Sequence, residues 1–255
     1  MSMSVAVVGA SRGLGLSLAR LLLASPQINH AVLTCRDPSH MPKDILSHPK
    51  THAFPVSAND EESVASVAKY VKTHLNGKLN AVVHVAGVLH DEQVYPETSI
   101  TKVKRDAMMH SFEVNSVFPA MTAKHFLPLL KAAAASPDDS GEPVYAALSA
   151  RIGSIGDNRL GGWVSYRASK AALNQLIKTL AIEGSRVKPR PVVAVGIHPG
   201  TCVTDLTAPF RKNVDPATVR SAERGAEDIW KIVATASAQG VSGKCVAYDG
   251  TIVPP

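Results

Sequence analysis

The segment WVSYRASKAAL, residues 163–173, places a phenol and an ammonium group four residues apart, at Tyr166 and Lys170. On a helix that spacing puts both on one face. An ammonium beside a tyrosine favours the phenolate and lowers a pKa that starts near ~10. A tyrosine tuned in this way can give a proton to a carbonyl oxygen as hydride arrives, or take one in the reverse direction. The spacing alone is common on helix surfaces, so the rest of the chain has to supply the partners of such a reaction.

The first partner lies at the amino end. The apolar run SVAVVGA (4–10) leads into GASRGLG, with glycines at 9, 13 and 15, and a helical stretch follows directly. A strand that feeds a helix through small residues lets the backbone approach a pyrophosphate, and the helix N-terminus offers free N–H groups. The spacing leaves three residues between the first two glycines, a longer turn than G-x-G-x-x-G. Arg12 sits inside this turn, and Arg36 closes the second apolar run in TCRD. At the end of the second strand of a nucleotide-binding sheet, an acid bonds a ribose hydroxyl and an arginine suits a 2′-phosphate. Two arginines against the single Asp37 favour NADP(H) over NAD(H).

The elements that must position these groups alternate along the chain. Seven runs read as strands buried on both faces: 4–10, 30–35, 51–56, 79–87, 144–150, 191–197 and 244–250. Helical signals fall between them. NDEESVASVAKYVKTHL has a capping pattern in Asn59 and Glu62, and an apolar face of Val64, Val67, Ala68 and Val71. Residues 101–135 hold two helices or one long one. SYRASKAALNQLIKTLAIEG runs to Gly184, with Ser165 as its cap, and AERGAEDIWKIVATAS is the last helix. This rhythm predicts a single α/β domain over residues 1–255, a doubly wound sheet of about seven parallel strands with helices on both faces. The stretch SPDDSGEP (136–143) is expected to be a solvent loop.

Composition excludes several classes. The 255 residues carry a net charge of +6, with 45% hydrophobic and 19% charged residues, and mean hydropathy is +0.05. No apolar run approaches the ~18 residues that span a bilayer, and the first residues lack the basic start of a signal peptide. Cys35, Cys202 and Cys245 have no metal-binding spacing and read as free thiols of a reducing compartment, the cytoplasm. Basic residues are scattered and aromatics are only 5%, which argues against nucleic acid as a partner.

Further motifs fall in order: Ala86-Gly87 after the fourth strand, Asn115 in FEVNSVFPA, LSARIGSIG after the fifth and HPGTCVTDL after the sixth. Together with the glycine turn and the Tyr–Lys pair, they resemble the short-chain dehydrogenase/reductase family over essentially the whole chain. LHDEQ, GSIGDNRLGGWVSYRASKAALN and the terminal DGTIVPP are most similar to its C-factor-like and sniffer-like carbonyl reductases. The resemblance implies a Rossmann-type fold and a carbonyl or alcohol substrate. It makes Tyr166 the acid/base, Lys170 the group that holds the nicotinamide ribose, and Asn115 a support for a proton relay. It places Gly9, Ser11, Arg12, Gly13, Leu14 and Gly15 around the phosphates, and Ser57 and Ala58 near the adenine. Ala86 and Gly87 fall beside the adenosine ribose, and Pro199, Gly200, Cys202 and Thr204 at the nicotinamide. It also implies a homodimer or homotetramer through the helices of 101–135 and 165–183.

Three departures stand out. The family's N-N-A-G is His84-Val85-Ala86-Gly87 here, and His84 reads as a core or edge histidine. Ser57 stands where a small aspartate is usual. The serine that holds the substrate carbonyl falls at Ala150, which leaves Ser149, one residue earlier, and Ser154 as candidates. Ser149 is the preferred one, although strand alternation argues against it. The alternative function is a dinucleotide-binding regulatory module with little catalysis. Residues 207–226 lie where a substrate lid belongs.

Overall fold

A computed structural model describes residues 3–255. The chain builds one eight-stranded sheet in the order β3-β2-β1-β4-β5-β6-β7-β8. The strands are β1 (Met3–Val8), β2 (Ile28–Cys35), β3 (Thr51–Pro55), β4 (Ala81–His84), β5 (Val144–Leu148), β6 (Val193–His198), β7 (Cys245–Ala247) and β8 (Ile252–Val253). The first seven are parallel. The eighth was not anticipated, and it runs antiparallel to β7. A turn through Gly250, at φ +87°, reverses the chain within a few residues, so β8 must pair antiparallel.

Helices cover both faces because the central strands are apolar on both sides. Along β5, Val144, Ala146 and Leu148 enter a core with Leu18 and Leu22 of α1 (Gly13–Ala24) and Ile229 and Val233 of α7 (Ala222–Thr235). Tyr145 and Ala147 enter the opposite core. There they meet Val64 and Val67 of α3 (Glu61–His74), Phe126 and Leu130 of α5 (Phe118–Ala135), and Leu173 and Ile177 of α6 (Val164–Gly184). A four-residue helix, α2 (Lys43–Leu46), leads into β3.

Several local expectations are corrected. Asp60, not Asn59, caps α3, accepting from the Ser63 N–H, while Asn59 accepts from the Ser57 hydroxyl. The loop at 136–143 is not fully solvated: Asp139 is buried and takes hydrogen bonds from Lys78 and Asn80. Residues 105–135 form one helical rod, in which α4 (Arg105–Phe112) passes through a π-helical turn (Glu113–Val117) into α5. Such wider turns often accompany functional sites. Here the turn carries Asn115 into the interior.

The strand order reverses between β1 and β4, and open α/β sheets bind ligands at the C-terminal ends of the strands beside such a switch. The glycine turn, Arg36, Ser57, Ala86-Gly87, Ser149 and Pro199-Gly200 all follow the C-terminal end of a strand. The fold gathers them along one edge.

Candidate active site

Helix α6 carries the Tyr–Lys pair, and its entry is unusual. Gly161, Gly162 and Trp163 all have positive φ, at +63°, +62° and +49°. For a bulky residue such as Trp163 this conformation is strained and needs support from its surroundings. The support comes from Glu97, a buried carboxylate distant in sequence. Its backbone oxygen accepts from the Trp163 N–H at 2.6 Å, and its carboxylate accepts from the Ser165 N–H and hydroxyl. Ser165 is therefore not the helix cap that its position suggests. It lies inside α6, and Glu97 satisfies its N–H from across the fold. Arg167 closes the loop, donating to the carbonyls of Ile152, Gly161 and Gly162. Truncation of Glu97 to Ala leaves the Ser165 N–H and hydroxyl unpaired, at a cost of about 2–3 kcal/mol. Thermal unfolding of that variant should show Tm lower by about 5–10 °C, and an unchanged Tm would contradict the bracing role.

One turn on, Lys170 is 4% exposed, and its ammonium donates to the Leu148 carbonyl at 2.9 Å. It stands 5.7 Å from the centroid of the Tyr166 ring. Asn115 is fully buried and holds the facing backbone, accepting from the Val88 N–H at 2.9 Å and donating to the Val88 carbonyl at 2.8 Å. Its amide also donates to the Ser169 hydroxyl, and Ser169 in turn donates to the Tyr166 carbonyl. A side chain at Gly87 would meet Asn115 at 3.2 Å and the Lys170 ammonium at 3.5 Å. The structure thus unites Tyr166, Lys170, Asn115 and Gly87. Gly153 is needed because a Cβ there would lie 2.7 Å from that of Lys170.

The electrostatics differ from the simple expectation. Burial pushes the Tyr166 phenol above its ordinary value, an effect that the neighbouring ammonium does not reverse. Burial pulls Lys170 down to about 8. In this state the pair is set as a protonated phenol beside a readily neutralised amine. That is the acid form required to protonate a carbonyl.

The serines are placed as follows. Ser149 directly follows β5 and is buried, and its hydroxyl donates to Asn174 of α6 at 2.6 Å. Ser154 ties down the chain end, donating to the Pro255 carbonyl and accepting from the Asp157 N–H. Ala150 lies between them, partly exposed in extended backbone.

The glycine turn fits a dinucleotide. A Cβ at Gly9 would sit 2.8 Å from the Ala86 nitrogen, so β1 and the Ala86 segment can pass this closely only without one. At Gly13 a Cβ would meet Thr204 at 3.1 Å, which brings the segment after β6 against the turn. Helix α1 begins with no side-chain cap and no acidic residue in its first turn, so its leading N–H groups are free for an anion. Arg12 bridges the turn to Asp205 at 3.6 Å, and both side chains are largely exposed. Arg36 is exposed, whereas the Asp37 carboxylate is engaged by the N–H and hydroxyl of Ser39. Ser57 and Ala58 are half-buried beyond β3. After β6, Cys202 is buried, its thiol packed against Gly225 and donating to the Pro199 carbonyl at 3.4 Å. A side chain at Gly200 would strike the Tyr248 ring. Among the described residues, no cluster of three or more His, Cys, Asp or Glu could hold a metal.

The sequence model of the short chain dehydrogenases matches residues 3–215. This chain belongs to that family. Its members are NAD(P)-dependent dehydrogenases and reductases, and several of the similar proteins carry dehydrogenase or reductase names. A 1-hydroxy-2-glutathionyl-2-methyl-3-butene dehydrogenase of Rhodococcus is 30% identical over 207 residues, 81% of each chain. The C-signal protein of Myxococcus xanthus is 30% identical over 58% of this short-chain dehydrogenase and 78% of its own length. Among solved structures, the carbonyl reductase Sniffer of Drosophila melanogaster superposes with a TM-score of 0.86 at 26% identity, and an NADPH-bound carbonyl reductase from chicken fatty liver with 0.84 at 26%. Both alignments cover 100% of both chains.

His84 ends β4. It is buried against the Phe118 ring at 4.8 Å, and neither ring nitrogen has a hydrogen-bond partner. Burial, with the Lys170 charge nearby, lowers it to about 3. The folded protein therefore binds this proton only below about 3, whereas the unfolded chain binds it below ~6.5. The unfolded state holds more protons across that window, so stability falls as pH drops through it. Thermal unfolding of the wild type should weaken more steeply between pH ~6.5 and ~3 than that of His84→Asn. Parallel Tm curves would contradict the assignment.

Proposed function

We propose that the protein is an NADPH-dependent carbonyl reductase, or an alcohol dehydrogenase in the reverse direction, with Tyr166 as its acid/base. The observation that carries this reading is the buried Lys170, anchored on the Leu148 carbonyl beside Tyr166 and enclosed by Asn115 and Gly87. Lysine is rarely buried without a purpose that repays its desolvation. NADPH, when bound, would supply the hydride. The Gly9, Ser11, Arg12, Gly13, Leu14 and Gly15 turn would hold its phosphates, Arg36 its 2′-phosphate, and Ser57 and Ala58 its adenine. Ala86 and Gly87 would flank the adenosine ribose, Lys170 would bind the nicotinamide ribose, and Pro199, Gly200, Cys202 and Thr204 would meet the nicotinamide. Tyr166 gives its proton to the carbonyl oxygen, and Asn115 supports the path by which that proton is replaced.

Ser149 is assigned to orient the substrate carbonyl, which requires its hydroxyl to turn from Asn174. Purified protein with NADPH and a panel of aldehydes and ketones should consume NADPH. Ser149→Ala should lower kcat by about tenfold or more. No NADPH consumption on any carbonyl would reject the reductase reading, and an unchanged kcat in Ser149→Ala would reject the serine's role.

A homodimer or homotetramer is the assembly we favour. Met109, Val117 and Ile182 stay exposed on the α4–α5 rod and on α6, where a partner could cover them. Sedimentation at micromolar concentration should give a multiple of the chain mass, and a monomer would contradict this. No described helix is long and apolar enough to cross a membrane. Three buried free thiols suit a cytoplasmic location.

A further inference from the structure

Four aromatic side chains from three separate segments converge beside the acid. Trp163 lies 6.3 Å from the Tyr166 ring, edge to face, and 4.9 Å from Phe210 of the segment after β6. Phe210 lies 5.7 Å from Tyr95 of the segment after β4. His90 joins them, 5.6 Å from Phe210 and 6.3 Å from Tyr95, and its Nε2 lies 3.2 Å from the Asp205 carbonyl.

This cluster is not ordinary core. The chain has only two Trp, five Tyr and five Phe, and the two sheet cores are filled mainly by Val, Leu, Ile and Ala. Tyr95 is 62% exposed, and Leu160 and Val203, in the segments that carry Trp163 and Phe210, are also exposed. A solvent-facing apolar rim around a polar pair needs an occupant to cover it. Trp163 and Phe210 meet at 57° with centroids 4.9 Å apart, and Phe210 and Tyr95 at 40° with centroids 5.7 Å apart, so the three rings touch one another and form a continuous tilted wall. Finally, the indole is held in place at the expense of backbone strain at Trp163, fixed by Glu97. Strain of this kind is retained where a side chain must point in one direction.

We infer that the site selects carbonyl compounds whose carbonyl is attached to a planar aromatic body, with that body packed against the wall of Trp163, Phe210 and Tyr95 while the oxygen faces Tyr166. The inference rests on the reductase reading and adds its substrate class. Aromatic rings prefer offset or edge-to-face contact with other rings, and a saturated ring of equal size gains only area. Phe210 and Tyr95 supply the specificity, and Asp205, through His90 and Arg12, links the aromatic wall to the glycine turn.

The test compares benzaldehyde with cyclohexanecarbaldehyde, a pair of like size in which only one ring is flat. Wild-type KM should be about tenfold lower for benzaldehyde. Phe210→Leu, on an exposed segment away from the core, should raise the benzaldehyde KM by about tenfold and the cyclohexyl KM by less than about twofold. A second readout needs no turnover. In the Tyr166→Phe protein with NADPH bound, benzaldehyde should quench indole fluorescence, and adding Trp163→Leu should abolish that quench. Equal KM values for the two aldehydes, or an equal rise of both in Phe210→Leu, would overturn the aromatic preference and leave the reductase reading intact. Quenching without turnover of either aldehyde by the wild type would uphold the aromatic site and overturn the reductase reading.

Discussion

Replacing Tyr166 with Phe should lower kcat by about 10³-fold while the NADPH dissociation constant stays within about threefold. A positioned general acid contributes ~10²–10⁴-fold, and about 10³-fold is the middle of that range. The substitution removes one hydroxyl and keeps the ring, so the edge contact with Trp163 and the packing of α6 survive. The Tyr166 carbonyl still accepts from Ser169, because that bond belongs to the backbone. Tm should accordingly shift by less than about 3 °C. Lys170→Met makes a useful contrast: it removes the group assigned to the nicotinamide ribose, so NADPH affinity should fall together with kcat. Equal activity of Tyr166→Phe and wild type would show that the proton comes from elsewhere.

Arg36→Asp should change the NADPH-to-NADH ratio of kcat/KM by about 10²-fold or more, toward NADH. A charge-assisted bond from a guanidinium to a phosphate contributes ~1.5–3 kcal/mol, a factor of about 10–100. An introduced carboxylate would add repulsion of the 2′-phosphate and a partner for the free hydroxyl of NAD. The structure strengthens the case against Asp37, whose carboxylate is held by Ser39 and so caps the turn at Pro38–His40. Those Ser39 hydrogen bonds lower the Asp37 carboxyl below its usual range, so it stays charged but locally engaged. Arg36 is exposed, and its loss should leave stability unchanged. A ratio within about twofold of wild type would show that Arg36 does not meet the 2′-phosphate.

Local features of the chain were legible because each is encoded in neighbouring residues. The seven parallel strands, the glycine turn, the end of α6 at Gly184 and the pairing of Tyr166 with Lys170 follow from apolar runs and fixed spacings. The misses arise where the partner is remote. Nothing near Glu97 in PETS signals that it braces Trp163 and Ser165, which lie beyond an intervening strand and helical rod. The spacing of FEVNSVF does not announce a π-helical turn, although Asn115 among apolar neighbours marked the place. The lowered phenol pKa expected from the Tyr–Lys spacing is outweighed by burial, which spacing does not report. At the α3 start, two adjacent residues were able to cap, and only geometry separates Asp60 from Asn59.

The serine remains the point on which catalysis turns. Ser149 gives its hydroxyl to Asn174, and the family resemblance puts Ala150 at the serine position, so Ser149 must leave Asn174 to meet a carbonyl beside Tyr166. Ala150→Ser adds a donor there and would be expected to raise kcat.

The central claim, that this scaffold reduces carbonyls, is tested most directly by measuring NADPH binding and single-turnover NADPH oxidation on one sample of wild-type protein. The account predicts calorimetric binding at one site per chain and loss of the bound NADPH absorbance after an aldehyde is added. Tight NADPH binding with no oxidation by any aldehyde or ketone would contradict it and would mark the protein as a dinucleotide-binding module.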